Sequence, residues 1–412
     1  MRSRLHRDIS RVFFLLTLGL LPLAGCGDVS LGPEGASSLL ASSLSAGDSH
    51  SCAITGGKVQ CWGLNTSGQL GNGTSTSSLT PVFVSGITDA VQVQAGGKHT
   101  CARLSSGAVW CWGDNTEGQL GNGSFTSSLV PVLSTGVSSA VSVSAGGYHT
   151  CAVRADGRAL CWGRNIEGQL GDARNITSNL PVQVFGITTA STISTGGAHT
   201  CARLADSTIQ CWGSNTLDQL GNTALVAASR NTPIAVTGIN TAVSISAGTG
   251  HSCAEVASPS RVRCWGDNFS GQLAREWTAQ LFPDPPLMTS PEALNVTGIT
   301  TPNGAAAGYA HSCAALDDNT IRCWGENFDG QLGNGTVAGF IPPDPSASAT
   351  STIVPVTVSG ITAATQVVTG QFHSCALLLN GTVMCWGRNS SGQLGDGTGV
   401  VAATPVEVTL LP

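Results

Sequence analysis

Charged side chains are scarce in this 412-residue chain. They make up 10% of its residues, against about 25% in ordinary domains. Lys58 and Lys98 are its two lysines. Four of the 18 basic residues and one of the 24 acidic residues precede residue 27, which leaves a net charge of −9 on the remainder. Because binding to a phosphate backbone requires clustered cations, the composition excludes a nucleic-acid partner.

Enzyme signatures and helical periodicity are also missing. The chain has no Gly-x-Ser-x-Gly elbow, no phosphate loop and no His-Glu-x-x-His pair. After residue 40, no window shows an apolar stripe with a 3.6-residue period. We therefore expect neither an enzyme nor a cofactor. Acidic residues do vary around the chain, and the sequence does not tell whether any two of them converge; these are Asp114, Glu117, Asp267, Glu326 and Asp329.

One unit is repeated seven times. Each copy has a His, a Cys two residues later, and a second Cys that follows after a further 9 to 11 residues and precedes Trp-Gly. A Gly-Gln-Leu-Gly segment comes next, with departures in the fourth and fifth copies. The histidines are 49 to 62 residues apart, a period typical of solenoids, propellers and arrays. They are His50, His99, His149, His199, His251, His311 and His373.

The copies have the residue pattern of strands. Val91–Ala95, Val141–Ala145 and Val243–Ala247 alternate apolar and polar residues. Further short strands are expected to open at Pro131 and Pro181. Four short strands in each of seven copies predict an all-β fold, a seven-bladed β-propeller of four-stranded antiparallel blades.

The cysteine spacing predicts a disulfide inside each copy. With Gly56–Gly57 as a two-residue hairpin turn, Cys52 faces Cys61. Three-residue turns ending in glycine bring the pairs of the third and seventh copies opposite each other, whereas the turn of the fifth copy is longer and less defined. These pairs fall on non-hydrogen-bonded sites, where Cα atoms lie about 4.5 Å apart, within disulfide range. The alternative, a metal held by two Cys and a His, lacks a Cys-x₂-Cys knuckle, so no metal is expected. The predicted pairs are Cys52–Cys61, Cys101–Cys111, Cys151–Cys161, Cys201–Cys211, Cys253–Cys264, Cys313–Cys323 and Cys375–Cys385.

The first 26 residues have the pattern of a secretion signal. A basic start precedes the apolar run 12–21, which is too short to span a bilayer as a helix. The run ends at Leu-Ala-Gly-Cys26, which resembles the bacterial lipobox, in which the Cys becomes the acylated first residue. The alternative is an ordinary signal peptide cut nearby. Residues 27–43 are then a flexible tether and residues 44–412 the propeller. Export would place the 14 remaining cysteines in an oxidising compartment.

The repeated unit, His-[Ser/Thr]-x-Ala and then Trp-Gly-x-Asn-x-x-Gly-Gln-Leu-Gly, resembles the regulator of chromosome condensation repeat over about residues 44–412. The resemblance implies a seven-bladed propeller, tryptophans packed between blades, Gly-Gln-Leu-Gly turns that dock successive blades, and histidines that act as structural hydrogen-bonding groups. The paired cysteines depart from the nuclear relatives and, with the lipobox, resemble a bacterial extracytoplasmic branch. The chromatin and GTPase-exchange roles of the nuclear relatives are therefore not expected here.

The two ends of the repeat region suggest how the ring closes. The first copy, which starts near Leu44, lacks a preceding Pro-Val strand, and the chain ends in that strand at residues 404–408. We expect the C-terminal strand to complete the blade that the N-terminus begins, which would close the ring and remove an exposed sheet edge.

Two copies are interrupted at the same place, just after the Gln-Leu of their Gly-Gln-Leu segments. Both insertions carry an aromatic residue before a cluster of Pro and Asp. Because they occupy equivalent positions in adjacent copies, they should lie side by side on one rim. Loops of this kind often carry function, although a tolerated surface insertion is the alternative. The predicted binding residues are Trp277, Phe282, Met288, Phe340 and Ile341.

Together these features predict a non-enzymatic, monomeric scaffold of the bacterial cell envelope. It would contact the membrane only through its lipid anchor and bind an unidentified envelope protein or glycan. One alternative is an inhibitor of an envelope enzyme such as a β-lactamase, since some secreted relatives of this propeller have that activity. Another is a polysaccharide lyase or hydrolase, which predicts converging acids in the central channel.

Overall fold

The computed structural model describes residues 40–225, 228–275, 289–337 and 353–412. Every regular element in these ranges is a β-strand, numbered here β1 to β28 in chain order. No helix in the described ranges is long and apolar enough to cross a membrane.

The strands form seven four-stranded antiparallel sheets, and each sheet consists of four consecutive strands. These sheets are blades 1 to 7 of the predicted propeller. Blade 1 is β1 (Ala41–Ala46), β2 (His50–Thr55), β3 (Lys58–Gly63) and β4 (Ser78–Phe83); blade 2 is β5 (Ala90–Ala95), β6 (His99–Leu104), β7 (Val109–Gly113) and β8 (Ser128–Leu133); blade 3 is β9 (Ala140–Ala145), β10 (His149–Arg154), β11 (Ala159–Gly163) and β12 (Ser178–Gln183); blade 4 is β13 (Ala190–Thr195), β14 (His199–Leu204), β15 (Ile209–Gly213) and β16 (Arg230–Ala235). Blade 5 is β17 (Ala242–Ala247), β18 (His251–Ala257), β19 (Ser260–Asp267) and β20 (Thr289–Asn295); blade 6 is β21 (Pro302–Ala307), β22 (His311–Leu316), β23 (Ile321–Gly325) and β24 (Val356–Thr357); blade 7 is β25 (Ala364–Thr369), β26 (His373–Leu378), β27 (Val383–Gly387) and β28 (Ala402–Glu407).

The central hairpin of each blade has the register counted from the sequence. Cys52 lies opposite Cys61 in blade 1, and the other six pairs lie opposite each other in the same way. All seven pairs are joined as disulfides, with Cα atoms 4.1 Å apart. In blade 5, whose turn the sequence left undefined, Ala257 lies opposite Ser260, so the longer hairpin gains a residue pair and keeps its cysteines aligned.

Each disulfide packs against the tryptophan of the following blade. The pair Cys52–Cys61 of blade 1, for example, shares a buried cluster with Trp112 of blade 2. The same arrangement repeats at the other joints and places Trp62 against the disulfide of blade 7. All seven repeat tryptophans have no exposed surface. The apolar cores therefore lie between blades, which is the position that the resemblance implied for the tryptophans.

The outer strands differ from the prediction in one detail. Pro131 and Pro181 do not open their strands, because β8 begins at Ser128 and β12 at Ser178. Each proline lies inside an outermost strand, where one side of the backbone has no partner strand. A proline at such an edge breaks no ladder hydrogen bond, so the strand can begin before it.

The C-terminal segment lies where the ring closes, as predicted, but its pairing differs from the expectation. Strand β28 pairs with β27 of its own blade, so blade 1 is complete without it. The residues after β28 add contacts at this last joint. Val408 joins a buried cluster with Leu44 and Trp62 of blade 1. Leu411 exchanges two hydrogen bonds with the side chain of Gln60, at 2.8 and 2.9 Å.

Candidate functional site

The seven repeat histidines form identical joints between blades. Each imidazole is fully buried, and its Nε2 lies 2.8 to 2.9 Å from a Thr or Ser hydroxyl of the next blade. The pairs are His50–Thr100, His99–Thr150, His149–Thr200, His199–Ser252, His251–Ser312, His311–Ser374 and His373–Ser51.

At each joint a backbone carbonyl determines which atom donates the hydrogen bond between the imidazole and the hydroxyl. The Thr100 hydroxyl donates to the carbonyl of Gln69, 2.8 Å away, and the Trp112 Nε1 donates to the same oxygen. Because a hydroxyl has a single proton, the Nε2 of His50 must donate to Thr100, and its Nδ1 is then an unprotonated nitrogen. Burial lowers the pKa of every repeat histidine, to about 3 or about 4. These neutral histidines are structural groups, in agreement with the resemblance.

The first strands of the blades line a central channel of about 310 Å³. Its polar side chains are hydroxyls and amides, among them Gln92, Ser144 and Thr192. A mouth of about 90 Å³, formed largely by glycines, holds the one carboxylate of the described channel lining, Asp48. Burial raises the pKa of Asp48 to about 6, and Lys98 opposes the shift. The described lining therefore does not form the acid pair that the polysaccharide-cleaving alternative places in the channel.

Several predicted site residues lie outside the described residues. They are the lipidation candidate Cys26 and the five binding candidates Trp277, Phe282, Met288, Phe340 and Ile341. The residues that flank both insertions are described. Both insertions interrupt the connection between the third and fourth strands, in blades 5 and 6. A Cβ added to Gly271 of blade 5 would lie 2.6 Å from Ile353 Cγ2, at the end of the second insertion, so the two connections are in contact.

A cavity of about 340 Å³ lies beside these connections, and we call it the blade 5–6 pocket. Its lining includes the rings of Phe269, Tyr309 and Phe328 and the carboxylates of Asp267 and Glu326. Tyr309 also lines the channel mouth, so the pocket opens on the same face as the mouth; we call this the upper face. The pocket size falls in the range of about 300 to 1,000 Å³ that is usual for ligand sites.

The repeat itself holds the pocket residues in place. Asp267 and Glu326 directly follow the Trp-Gly that ends the third strand of blades 5 and 6. The next residue is the repeat asparagine, whose side-chain oxygen accepts the backbone N–H of Leu273 or Leu332 at 3.0 Å. Phe269 and Phe328 therefore project from turns that these hydrogen bonds brace, and the two residues remain 47% and 49% exposed.

The two acids of the pocket are partly buried, and each has a raised pKa. Burial raises the pKa of Asp267, and hydrogen bonds from the Phe269 amide and the Gln272 side chain oppose the shift. Burial also raises the pKa of Glu326; Asp329 adds to this shift, and Arg388 opposes it. Within the described parts of the chain, neither carboxylate forms an ion pair. No cluster of three or more His, Cys, Asp or Glu among the described residues could hold a metal ion.

The sequence prediction identified the acids but not the pocket. Asp267 and Glu326 were two of five acids whose convergence was open, and the structure brings these two to one cavity. The aromatic residues Phe269, Tyr309 and Phe328 were missed. A signal for two of them does exist, because only the fifth and sixth copies have Phe after the repeat asparagine, where the others have Thr, Ile or Ser.

Comparison with known proteins places the chain among repeat propellers. The RCC1-like domain model matches residues 29–301, and models of the regulator of chromosome condensation (RCC1) repeat match residues 305–331, 319–377, 364–393 and 380–412. Protein pim1 of Schizosaccharomyces pombe is 29% identical over 161 residues, which cover 38% of this chain and 29% of that protein. The ultraviolet-B receptor UVR8 of Arabidopsis thaliana is 31% identical over 153 residues, which cover 37% of this chain and 31% of the receptor.

Solved structures show the same fold. Yeast RCC1 (Prp20), in its crystal structure with Kap60, superposes with a TM-score of 0.73 at 19% identity, covering 86% of this chain and 84% of that chain. Human WBSCR16 superposes with a TM-score of 0.68 at 20% identity, covering 82% of this chain and 87% of that one. With two thirds of its length matched by one family model and the propeller shared with these structures, the chain belongs to the RCC1-like family.

Proposed function

We propose that this chain is an extracytoplasmic scaffold that binds a protein partner on its upper face and catalyses no reaction. The observation that carries the proposal is the blade 5–6 pocket, where three aromatic rings and two carboxylates lie beside the described residues that flank the two insertions. Related structures support a protein ligand: yeast RCC1 (Prp20) has been crystallised with Kap60, and it has binding properties toward Gsp1p and histones. A glycan ligand is the alternative outcome of the same test.

The proposed compartment rests on the disulfides and on the N-terminal sequence. Seven disulfides suit an oxidising environment outside the cytoplasm. The lipobox-like Leu-Ala-Gly-Cys26 would anchor the protein to a bacterial envelope membrane through acyl chains. A Cys26→Ser variant should move from the membrane fraction to the soluble fraction after extraction without detergent. Retention of this variant in the membrane fraction would remove the anchor from the proposal.

A loop deletion tests the upper face. Residues 276–288 and 338–352 are replaced together by short Gly-Ser linkers, which leave the described strands β19, β20, β23 and β24 intact. Crosslinking in intact cells, followed by pull-down, should recover the partner with the native chain and not with the deletion variant. Equal melting temperatures of the two proteins show that the fold is kept. A matched control, Asp206→Asn at the exposed β14–β15 turn, should capture the partner normally. Capture by the deletion variant would show that the partner binds elsewhere.

The same acids favour a second candidate function. Two carboxylates with raised pKa values in one cleft, beside aromatic rings, are typical of enzymes that cleave polysaccharides. A panel of envelope polysaccharides, incubated with the native chain and with Glu326→Gln, distinguishes the two functions. Product formed by the native chain and lost in the variant would replace the scaffold with a lyase or hydrolase.

A further inference from the structure

At two joints on the upper face, an arginine of this chain lies between an aromatic ring of its own blade and a carboxylate of the preceding blade. Between blades 2 and 3, Arg164 lies 5.9 Å from the ring centroid of Tyr148, and its Nη1 is 3.9 Å from Glu117 Oε1. Glu167 of the same blade adds a contact of 3.0 Å to Arg164 Nη2. This joint is therefore an occupied cation site built from the protein's own residues.

The joint between blades 6 and 7 repeats this arrangement. Arg388 lies 4.0 Å from the ring centroid of Phe372, and its Nη2 is 2.8 Å from Asp329 Oδ2. The three residues hold the same positions in the repeat as their counterparts at the earlier joint. The arginine follows Trp-Gly, the aromatic residue precedes the repeat His, and the acid precedes Gly-Gln-Leu of the preceding blade. We call this set of three positions the joint site.

In blades 5 and 6 all three positions of the joint site are changed. The arginine position holds Asp267 in blade 5 and Glu326 in blade 6, the aromatic position holds Gly250 and Ala310, and the acid position of the preceding blade holds Leu217 and Ser270. These six residues all line the blade 5–6 pocket. A Cβ added to Gly250 would lie 2.8 Å from Leu217 Cδ1 and 3.6 Å from Asp267 Oδ2, so the leucine takes up part of the space at the aromatic position and the carboxylate borders it. The pocket therefore lies at two joints that have no guanidinium and no ring at these positions, and carboxylates stand at the arginine positions.

Three aromatic rings from neighbouring positions of the repeat line the pocket. Phe269 and Phe328 come from the turns after the repeat asparagines, and Tyr309 comes from the turn between β21 and β22. Tyr309 also contacts Phe372 of the occupied joint, with ring centroids 5.3 Å apart and ring planes tilted by 53°. Arginine prefers such surroundings, because its planar head stacks on rings while its N–H groups reach carboxylates.

We propose that the blade 5–6 pocket binds an arginine side chain of the partner protein, with its guanidinium between Asp267 and Glu326 and its stem against Phe269, Tyr309 and Phe328. The incoming arginine supplies, from outside the chain, the cation that Arg164 and Arg388 supply at their own joints. This inference deepens the proposed function and rests on it for the source of the side chain, whereas the cation site itself rests on the joint geometry alone.

Two peptides that differ only in charge test the site on the full chain. The probes are acetyl-Gly-Arg-Gly-amide and its twin with citrulline, a neutral isostere of arginine, titrated by calorimetry. The arginine peptide should bind at least tenfold more tightly than the citrulline peptide. A peptide with lysine in place of arginine should bind more weakly than the arginine peptide, since an ammonium group cannot stack as a plane. Equal binding of the arginine and citrulline peptides would overturn the proposal.

Substitutions in the pocket test whether the arginine peptide binds there. Asp267→Asn combined with Glu326→Gln should weaken binding of the arginine peptide at least tenfold. Asp317→Asn combined with Asp318→Asn is the matched control, because it also removes two charges, from an exposed turn of blade 6 on the opposite face. If the control weakens binding as much as the pocket variant, the peptide is held only by net charge, and the site is refuted. An unaffected pocket variant that melts like the native chain refutes it as well.

The peptide titration and the partner capture fail in different ways. Capture that depends on the two insertions, together with no preference for the arginine peptide, leaves the scaffold in place and overturns the arginine site. A clear preference for the arginine peptide, together with capture that survives loop deletion, leaves the site in place and overturns the proposed partner surface.

Discussion

The Nε2 of His373 lies 2.8 Å from the Ser51 hydroxyl, although the two residues are 322 positions apart in the chain. The same hydroxyl donates to the carbonyl of Gln393, 3.0 Å away. These are the contacts that join every other pair of successive blades, so the last joint of the ring does not differ from the other six. The ring closes through a repeat contact, with the C-terminal residues packed over it.

Ser51→Ala should destabilise the ring at this joint. The substitution leaves the buried Nε2–H of His373 without an acceptor, which costs about 1 to 3 kcal/mol of unfolding free energy. Ser374→Ala, which removes the equivalent hydroxyl between blades 6 and 7, should cost a similar amount. Ser128→Ala, at an exposed outer strand, should stay within about 0.5 kcal/mol of the native chain. Urea unfolding compares the three. A Ser51→Ala chain as stable as the Ser128→Ala control would show that the joint is not formed in solution.

Stability should fall steeply below neutral pH. In the folded protein the pKa of each repeat histidine is lowered to about 3 or about 4, whereas in the unfolded chain it is near 6.5. Unfolding therefore takes up protons as the pH drops below about 6.5, and the histidine contribution is complete only above that value. Each histidine contributes a slope of up to about 1.4 kcal/mol per pH unit.

Four carboxylates with raised pKa values work against this trend: Asp48, Glu255, Asp267 and Glu326. The pKa of Asp48 is raised to about 6 by burial, so its protonation favours the folded state as the pH falls through that value. These four acids are fewer than the seven histidines and less completely buried, so they offset only part of the trend. Urea midpoints measured at pH 7.5, 6.5, 5.5 and 4.5 should decrease throughout, most steeply below 6. A flat profile between pH 7 and pH 5 would contradict the buried, neutral state of the histidines.

The disulfides should be complete and local. The protein, denatured without a reductant, should react with an alkylating reagent at no propeller cysteine; after reduction it should react at fourteen of them. Removing one pair, as in Cys101→Ala with Cys111→Ala, should cost about 2 to 5 kcal/mol, since it frees a short loop and empties space beside Trp162. Peptide mapping that joins cysteines of different blades would contradict the hairpin pairing.

Deletion of residues 403–412 should lower the melting temperature sharply. It removes most of β28, takes Val408 out of the cluster with Leu44 and Trp62, and leaves the buried side chain of Gln60 without Leu411. A shorter deletion, 409–412, keeps Val408 and removes the Gln60 contacts and Leu410, which packs at the edge of the same cluster, so its effect should be smaller. Differential scanning calorimetry ranks the three proteins. An unchanged melting curve for the longer deletion would show that the C-terminal segment does not close the ring.

Local rules were sufficient to predict the blades. The turn glycines and the residues counted outward from them place Cys151 opposite Cys161, because strand register follows directly from turn length. The residue after each Cys must point to the other side of its strand, which is how Trp162 comes to face the preceding blade. These features depend on neighbours within a few residues, so the sequence contains all that is needed.

The pocket depends on relations that the sequence does not contain. Asp267 and Glu326 are 59 positions apart, and they meet only because adjacent blades are inclined to each other by a fixed amount. That inclination results from packing between sheets and not from any local pattern. The pairing of β28 with β27 was missed for a similar reason, since the Pro-Val strand fits either end of the repeat unit and only tertiary packing selects one.

Because every sheet is made from one uninterrupted stretch of chain, the ring does not depend on which blade comes first in the sequence. A rearranged gene that links residue 412 to residue 40 through a short linker and opens the backbone between Phe83 and Ala90 would still encode seven whole sheets. For the same reason, duplication or deletion of about fifty codons would add or remove one whole sheet, provided that the resulting ring can still close.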